Sequence, residues 1–276
     1  MTSTHIIYKL TEKNCMKRIF LLAAVALIAL SGCNTPKDGY ELVWADEFEQ
    51  DGAPNPENWT YELMRKGQVN NEEQEYVNSL NNAWVEDGIL HIKAIKEGDR
   101  ITSARLISQG KQSWTYGRVE ARLKLPAGLG IWPAFWMLPD KSQYGGWPRC
   151  GEIDIMEFVG YQPTTVHGTI HTGKYNHMIG TQKGTNTELA TCTEDYHVYT
   201  LDWTPENITI SVDGIAYFSF DNDGAGDPGT WPFDQPFYII MNVAFGGGWG
   251  GAEGVDYNIL PAEMLVDWVR VYQKTE

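Results

Sequence analysis

Apolar and polar positions alternate along much of the chain with a period of two. Leu90, Ile92 and Ala94 interleave with His91, Lys93 and Ile95. Val119, Ala121, Leu123 and Leu125 interleave with Arg118, Glu120, Arg122 and Lys124. That period marks strands with one face in a core. Ile208, Ile210 and Val212 repeat it, Asp213-Gly214 supplies a turn, and Ile215 to Phe220 returns. Two such runs around an Asp-Gly pair predict a hairpin. Thr102 to Ser108, Phe237 to Val243 and Leu265 to Tyr272 predict further strands. Beyond residue 33 no segment longer than a turn or two carries a helical period. Many short strands with frequent turns predict an all-β sandwich of antiparallel sheets. Residues 40–276 read as one domain with no repeat, linker or second module.

The first 39 residues break the pattern. Met16-Lys17-Arg18 gives a basic start, and Ile19 to Leu30 is an unbroken run of twelve apolar residues. That run is too short to span a membrane and has the layout of a secretory signal. Leu30-Ser31-Gly32 before Cys33 resembles a bacterial lipobox, which implies cleavage before Cys33 and a lipid on its sulfur. Residues 1–32 are therefore expected to be a leader and lipoprotein signal peptide. Residues 33–39 are expected to be a short tether. The exported domain would sit at the bacterial cell envelope and touch the membrane only through the lipid.

Charge narrows the partners. The chain carries 21 Lys and Arg against 36 Asp and Glu, a net charge of −15, or −18 without residues 1–32. Such a surface argues against nucleic acid or an anionic membrane as a partner. A neutral polysaccharide fits better than a sulfated or uronic one, and a monomer is expected. Cys150 and Cys192 are the cysteines left after the leader. They could pair in an oxidising compartment, or stay as small buried thiols.

The chemistry concentrates in Gly151-Glu152-Ile153-Asp154-Ile155-Met156-Glu157-Phe158, three acids in one apolar segment. On a strand, Glu152 and Asp154 share a face and Glu157 points to the other. One extra residue near Ile155 or Met156, a β-bulge, would bring Glu157 back beside them. The two glutamates would then be four effective positions apart, roughly 13 Å along the backbone, and their side chains could lean together. Retaining glycosidases hold two carboxyl groups about 5–5.5 Å apart, one as nucleophile and one as acid/base. Crowded carboxylates split their proton affinities, which suits one to attack and one to donate a proton.

The same hexapeptide, Glu152 to Glu157, resembles the ExDxxE signature of glycoside hydrolase family 16 in its laminarinase-like, bulged form. The lichenase-type branch lacks the extra residue. Trp44-Ala45-Asp46-Glu47-Phe48, Gly130-Ile131-Trp132-Pro133-Ala134-Phe135-Trp136 and Asp267-Trp268-Val269-Arg270-Val271-Tyr272 resemble further landmarks of that family, in order. The resemblance runs from about Tyr40 to Gln273. It implies a β-jelly-roll with a concave substrate cleft and retention of anomeric configuration. It also implies Glu152 as nucleophile, Glu157 as acid/base and Asp154 as an assisting carboxylate. By the same resemblance Asn71 and Arg105 would contact sugar, and Glu47, Gly88 and Asp267 could hold a structural calcium ion. No cofactor is required for the catalysis it implies.

Aromatic residues are candidate sugar platforms. Trp132 and Trp136 lie four apart in a Gly/Pro-rich stretch, and Trp114, Trp147 and Trp249 lie in other loop-like segments. A flat ring covers the C–H face of a sugar, and neighbouring glycines let a backbone come close. Trp132, Trp136 and Trp249 are favoured for that role, and Trp44, Trp203 and Trp268 for the core. His167, Thr169 and His171 share one strand face near the acids, with His171 favoured to contact substrate. No third ligand accompanies the two histidines, so zinc is not expected. Asn242 is expected to face the cleft. The Gly-rich run Phe245 to Gly251 lacks a dinucleotide-binding context and reads as a flexible loop carrying Trp249. Three functions stay open: an endo-β-glucanase acting on laminarin or mixed-linkage glucan, an agarase-like β-galactan hydrolase, and a non-catalytic glucan-binding lipoprotein. Retention of all three acids speaks against the last.

Overall fold

In the computed structural model, residues 39–275 are described. The leader, Cys33 and most of the tether therefore lie outside the described residues. The predicted alternation becomes two stacked sheets, antiparallel except where Glu75–Tyr76 pairs with Arg100–Ser103. Leu90, Ile92 and Ala94 on Ile89–Glu97, and Val119, Ala121 and Leu123 on Gly117–Lys124, turn inward and are fully buried. Asn207–Val212 and Ile215–Asp221 pair as the expected hairpin, with Val212 opposite Ile215. Asp213 and Gly214 both have positive φ (49° and 79°), which a two-residue primed turn requires.

One sheet has ten strands, with Gly117–Lys124 and Ala262–Lys274 at its centre. The other has seven, in the order Lys183–Glu188, Thr165–His171, Glu152–Phe158, Ile131–Pro139, Phe237–Phe245, Arg105–Ile107 and Thr60–Tyr61. Between them lies one large core that includes Phe135, Phe158, Tyr199, Trp203 and Phe237. The only helical segments among the described residues are two single 3₁₀ turns, His177–Ile179 and Tyr257–Ile259.

Three expectations change. The single strand expected over 102–108 is two, because the chain leaves one sheet after Ser103 and enters the other at Arg105. Trp132 and Trp136 lie within the strand Ile131–Pro139 rather than in a loop, so their four-residue spacing puts both on one face. Trp268 is only half-buried, beneath the Arg270 guanidinium at 4.1 Å, and is not a core residue. Cys150 and Cys192 are both buried free thiols.

The bulge is present. Asp154 faces Thr169 and Glu157 faces His167, so three steps on one strand match two on the next. Against Ile131–Pro139 the slip falls between Asp154 and Met156. Ile153, Ile155, Met156 and Phe158 are all fully buried, which fixes which face the acids take. A bulge disrupts the ladder locally. Here the Ile155 carbonyl accepts a hydrogen bond from the Tyr217 hydroxyl at 3.1 Å. Tyr217 belongs to the other sheet and reaches across beside Gly168. A Cβ at Gly168 would lie 3.0 Å from the Tyr217 ring, so a larger residue there would push the clasp away.

Tyr217→Phe removes only the hydroxyl. Loss of one net hydrogen bond of about 1 kcal/mol should lower the melting temperature by roughly 2–4 °C. A thermal melt checks this, and an unchanged midpoint would show that the bulge needs no clasp.

Candidate active site

The bulge places Glu152, Asp154 and Glu157 on the floor of a cleft of about 1050 Å³. Each outer carboxylate is held by one indole. Trp147 Nε1 donates to Glu152 Oε2 at 3.0 Å, and Trp132 Nε1 donates to Glu157 Oε1 at 3.1 Å. His171 Nε2 lies 3.6 Å from Glu152 Oε1 and 3.5 Å from Asp154 Oδ2. Asp154 is the most deeply buried of the acids at 3% exposed, and its Oδ2 has no hydrogen-bond partner.

Burial raises the proton affinity of all three acids. Glu152 is lifted to about 8, first by desolvation and then by the Glu157 charge, against the Trp147 N–H and the Arg105 charge. Glu157 is lifted to about 7 by desolvation, offset by the Trp132 N–H. Asp154 is pushed well above the carboxylate range by burial and by both glutamates. Taken one by one, these values would ionise Glu157 before Glu152. The three titrate as a unit, however. The Glu157 charge is itself one reason Glu152 is high, so a proton on Glu157 removes that repulsion. Arg105 and Trp147 then favour the ionised form of Glu152. Desolvation, followed by the nearby His177 charge, lowers His171 to about 4, so it is neutral near pH 7.

All seven residues expected to contact substrate line the same cleft: Asn71, Arg105, Trp132, Trp136, His171, Asn242 and Trp249. Arg105, His171 and Asn242 are nearly buried floor residues. The Arg105 guanidinium sits 4.5 Å over the Trp136 ring and pairs with Glu62 at 2.5 Å. Trp249 packs edge-on against Trp132 at 5.4 Å and against His167 at 5.0 Å. Its loop is not the free segment the glycines suggest. The Phe245 carbonyl accepts the Glu73 N–H at 2.9 Å, and the Gly248 N–H donates to the Asn70 carbonyl at 2.7 Å. A glycine run can lie this close to another backbone, and here that proximity ties it down.

Sequence reasoning noticed Trp147 but gave it no role beside Glu152. Its position five residues before that acid was the available signal. His177 and Tyr217 gave no signal: the first lies in the turn just beyond His171, and the second arrives from the opposite sheet. Trp114 packs on Trp44 at 5.2 Å and is not part of the cleft wall.

Glu152, Asp154 and His171 present ligand atoms within 4.8 Å of one another, the one such group among the described residues. In donor type they could take a divalent cation. Yet a metal needs deprotonated ligands, and both carboxyls here hold protons unusually tightly. The residues considered for calcium fit less well. Glu47 is paired with Arg270 at 2.7 and 2.9 Å, and Asp267 with Arg122 at 2.6 Å. A guanidinium beside each carboxylate opposes a second cation. Gly88 lies in the turn between Ala83–Glu86 and Ile89–Glu97.

A jelly-roll sheet with a carboxylate trio under an aromatic cleft defines the glycoside-cleaving class of β-sandwich enzymes. The chain belongs to glycosyl hydrolases family 16, whose family model matches residues 65–270. A β-glucanase of Rhodothermus marinus is 48% identical over 278 residues, spanning 95% of this chain and 97% of that one. The X-ray structure of the laminarinase from Rhodothermus marinus matches with a TM-score of 0.83 at 49% identity, covering 86% of this chain and 98% of the other. A mutant of SCLam, a non-specific endo-β-1,3(4)-glucanase of the same family co-crystallised with 1,3-β-D-cellotriosyl-glucose, matches with a TM-score of 0.82 at 49% identity over 87% and 96% of the two chains. Residues 16–34 match a prokaryotic membrane lipoprotein lipid attachment site, the mark of a lipid-anchored envelope protein.

Raised carboxyl affinities predict a pH-dependent stability. A group that binds its proton more tightly in the folded state stabilises the fold below its unfolded value of 4.5, and that contribution is lost as pH rises toward about 8. Glu152→Gln removes this titration. The variant should melt about 4 °C above the parent at pH 8, from ~1–2 kcal/mol of relieved desolvation and repulsion. The two should coincide near pH 4. Melting curves at both pH values test this, and parallel curves at every pH would refute it.

Proposed function

We propose that the chain is a retaining endo-β-glucanase that cuts internal β-1,3 linkages of laminarin-type glucan, mixed-linkage β-1,3/1,4-glucan, or both. The observation that carries this reading is the bulge, which gathers Glu152 and Glu157 on one face, each under an indole N–H. In the proposed cycle the Glu152 carboxylate attacks the anomeric carbon while Glu157 gives its proton to the leaving oxygen. A glycosyl ester forms on Glu152. Glu157, now ionised, takes a proton from water, and that water opens the ester with overall retention. Asp154, buried beside the nucleophile and holding its proton, acts as the assisting carboxyl group and tempers the nucleophile's charge.

The cleft supports internal cutting. Its lining residues come from six neighbouring strands, from Lys183–Glu188 to Arg105–Ile107. At about 4.8 Å per strand that is roughly 24 Å of floor, long enough for a polymer to lie across. The acidic balance of the chain supports a neutral polymer over a sulfated galactan. The relatives named above are described as a β-glucanase, a laminarinase and an endo-β-1,3(4)-glucanase, which supports glucan over galactan. A lipid on Cys33 would hold the domain at the outer membrane or cell surface, where large glucans are met. Cys33→Ala should then shift the protein from membrane to soluble fractions, and retention in the membrane would remove the lipid anchor from this reading.

The test is product analysis on laminarin, mixed-linkage glucan and agarose, with Glu152→Ala beside the parent. Oligosaccharides from either glucan and none from agarose are expected. Glu152→Ala should lose activity by about 10⁴-fold or more, as when a nucleophile is deleted, yet still bind glucan. Products from agarose alone would overturn the substrate, and near-parental turnover by Glu152→Ala would overturn the assignment of the nucleophile.

A further inference from the structure

A fourth buried acid takes no part in the cycle above. Glu72 is 6% exposed and lines the base of the cleft on the flank that carries Asn71, Arg105, Trp136 and Asn242. Donors converge on its carboxylate. Asn70 Nδ2 reaches Oε1 at 3.1 Å, and Gln74 Nε2 reaches Oε2 at 2.6 Å. The Tyr76 hydroxyl feels the Glu72 charge as well. Burial first, and then the Glu72 charge, push that hydroxyl well above its ordinary range, so it remains a donor. The Gln74 amide cannot turn over, because its Oε1 accepts the Phe245 N–H at 2.8 Å. An acceptor-only side chain is what these donors require.

Two paths lead from Glu72 to the cleft. Along the first, Tyr76 Oη accepts Asn242 Nδ2 at 3.0 Å, and Asn242 Oδ1 accepts Trp136 Nε1 at 2.7 Å. Trp136 in turn carries the Arg105 guanidinium on its face. Along the second, Glu72 grips the Asn70 side chain. Asn70 and Asn71 are consecutive residues with positive φ, 50° and 56°, a conformation that a non-glycine pair holds only when its surroundings impose it. The Asn70 carbonyl also receives the Gly248 N–H, one residue before Trp249.

We propose that Glu72 is a positioning residue for glucan binding, one that acts through its neighbours to fix Asn71, Asn242 and Trp136 in register. It rests on the reading of that flank as sugar-binding. A glutamine at this position presents an amide donor to the fixed Gln74 donor, so the register is lost without a change of size. It acts on binding, not on the bond-breaking carboxylates, so its effect falls on KM.

The experiment is steady-state kinetics on laminarin with circular dichroism melts for each variant. Glu72→Gln should raise KM by about tenfold while kcat stays within about threefold, the pattern of lost uniform binding. The double variant Glu72→Gln with Gln74→Glu restores a complementary donor–acceptor pair, keeps an acceptor for the Phe245 N–H, and should recover most of the loss. Tyr76→Phe cuts the first path alone and should raise KM by about threefold. A folded Glu72→Gln with parental KM overturns the proposal, as does a loss confined to kcat or a folded double variant that stays weak. If Glu72→Gln fails to fold, Tyr76→Phe decides, and a parental KM there overturns it. Failure of the glucanase reading itself is distinct, since the parent would then show no turnover on laminarin.

Discussion

The structure depends on holding three carboxyl groups out of water on one face of one strand. Ordinary strand geometry cannot place Glu152, Asp154 and Glu157 together, because alternation sends the last to the core. A single extra residue does it, and everything nearby accommodates that residue. The apolar side chains of Ile153, Ile155, Met156 and Phe158 anchor the strand in the core. Tyr217 crosses from the opposite sheet to occupy the carbonyl of Ile155. Indole N–H groups, which donate but never accept, hold the outer acids without competing for their protons. The result is a set of acids whose affinity for protons is raised chiefly by burial, the condition under which one carboxyl donates near neutral pH while its neighbour attacks.

Around that centre the cleft is built unevenly. The flank of Arg105, Trp136 and Asn242 is a connected polar network, with the Trp136 and Asn242 donors matched to acceptors, Arg105 paired with Glu62, and little water access. The opposite flank ends in Lys183–Glu188, an edge strand that is almost wholly exposed. A rigid flank orients a sugar, whereas an exposed edge leaves room for a chain to continue. The cleft therefore combines a fixed end with an open one, on a sheet whose strands position most of its side chains; Trp147 and the 177–182 segment add others from outside it, as do the 65–74 and 245–251 loops. Those two loops bond to each other through their backbones, so they act as part of the scaffold.

Buried acids also set a conflict between stability and activity. The interactions that suit them for proton transfer, desolvation above all, oppose folding once they ionise. The rest of the core offsets this with two full sheets of apolar contacts. Such trade-offs are usual where an active site is preorganised. Among the described residues the ten-stranded sheet has no comparable charged cluster in its interior. Its surface acids pair with arginines, as in Glu47 with Arg270 and Asp202 with Arg118.

Much of this was legible in the chain itself. Period-two alternation marks the strands because a sheet buried on one face needs it. Asp213-Gly214 marks a hairpin because few residues accept positive φ. Three acids in an apolar segment, one out of phase, point to a bulge and to paired-carboxylate chemistry, and the flanking motifs point to the family. Residues whose role depends on contacts between distant segments were not legible. Tyr217 against Ile155, Asn242 against Tyr76, and Gln74 against Phe245 are each decided by how two loops or two sheets meet. The break between Ser103 and Arg105 is invisible for the same reason, since both halves have strand-like sequence. The glycine-rich run from Phe245 looked free because composition records which conformations a segment permits. Only tertiary structure decides which neighbour satisfies its hydrogen bonds, and so whether it moves. Local periodicity and local chemistry are written in neighbouring residues, and so sequence alone determined the fold class and the cluster of three acids. The shape of the cleft and the proton affinities within it come from burial and long-range pairing, which exist only once the sheets have packed.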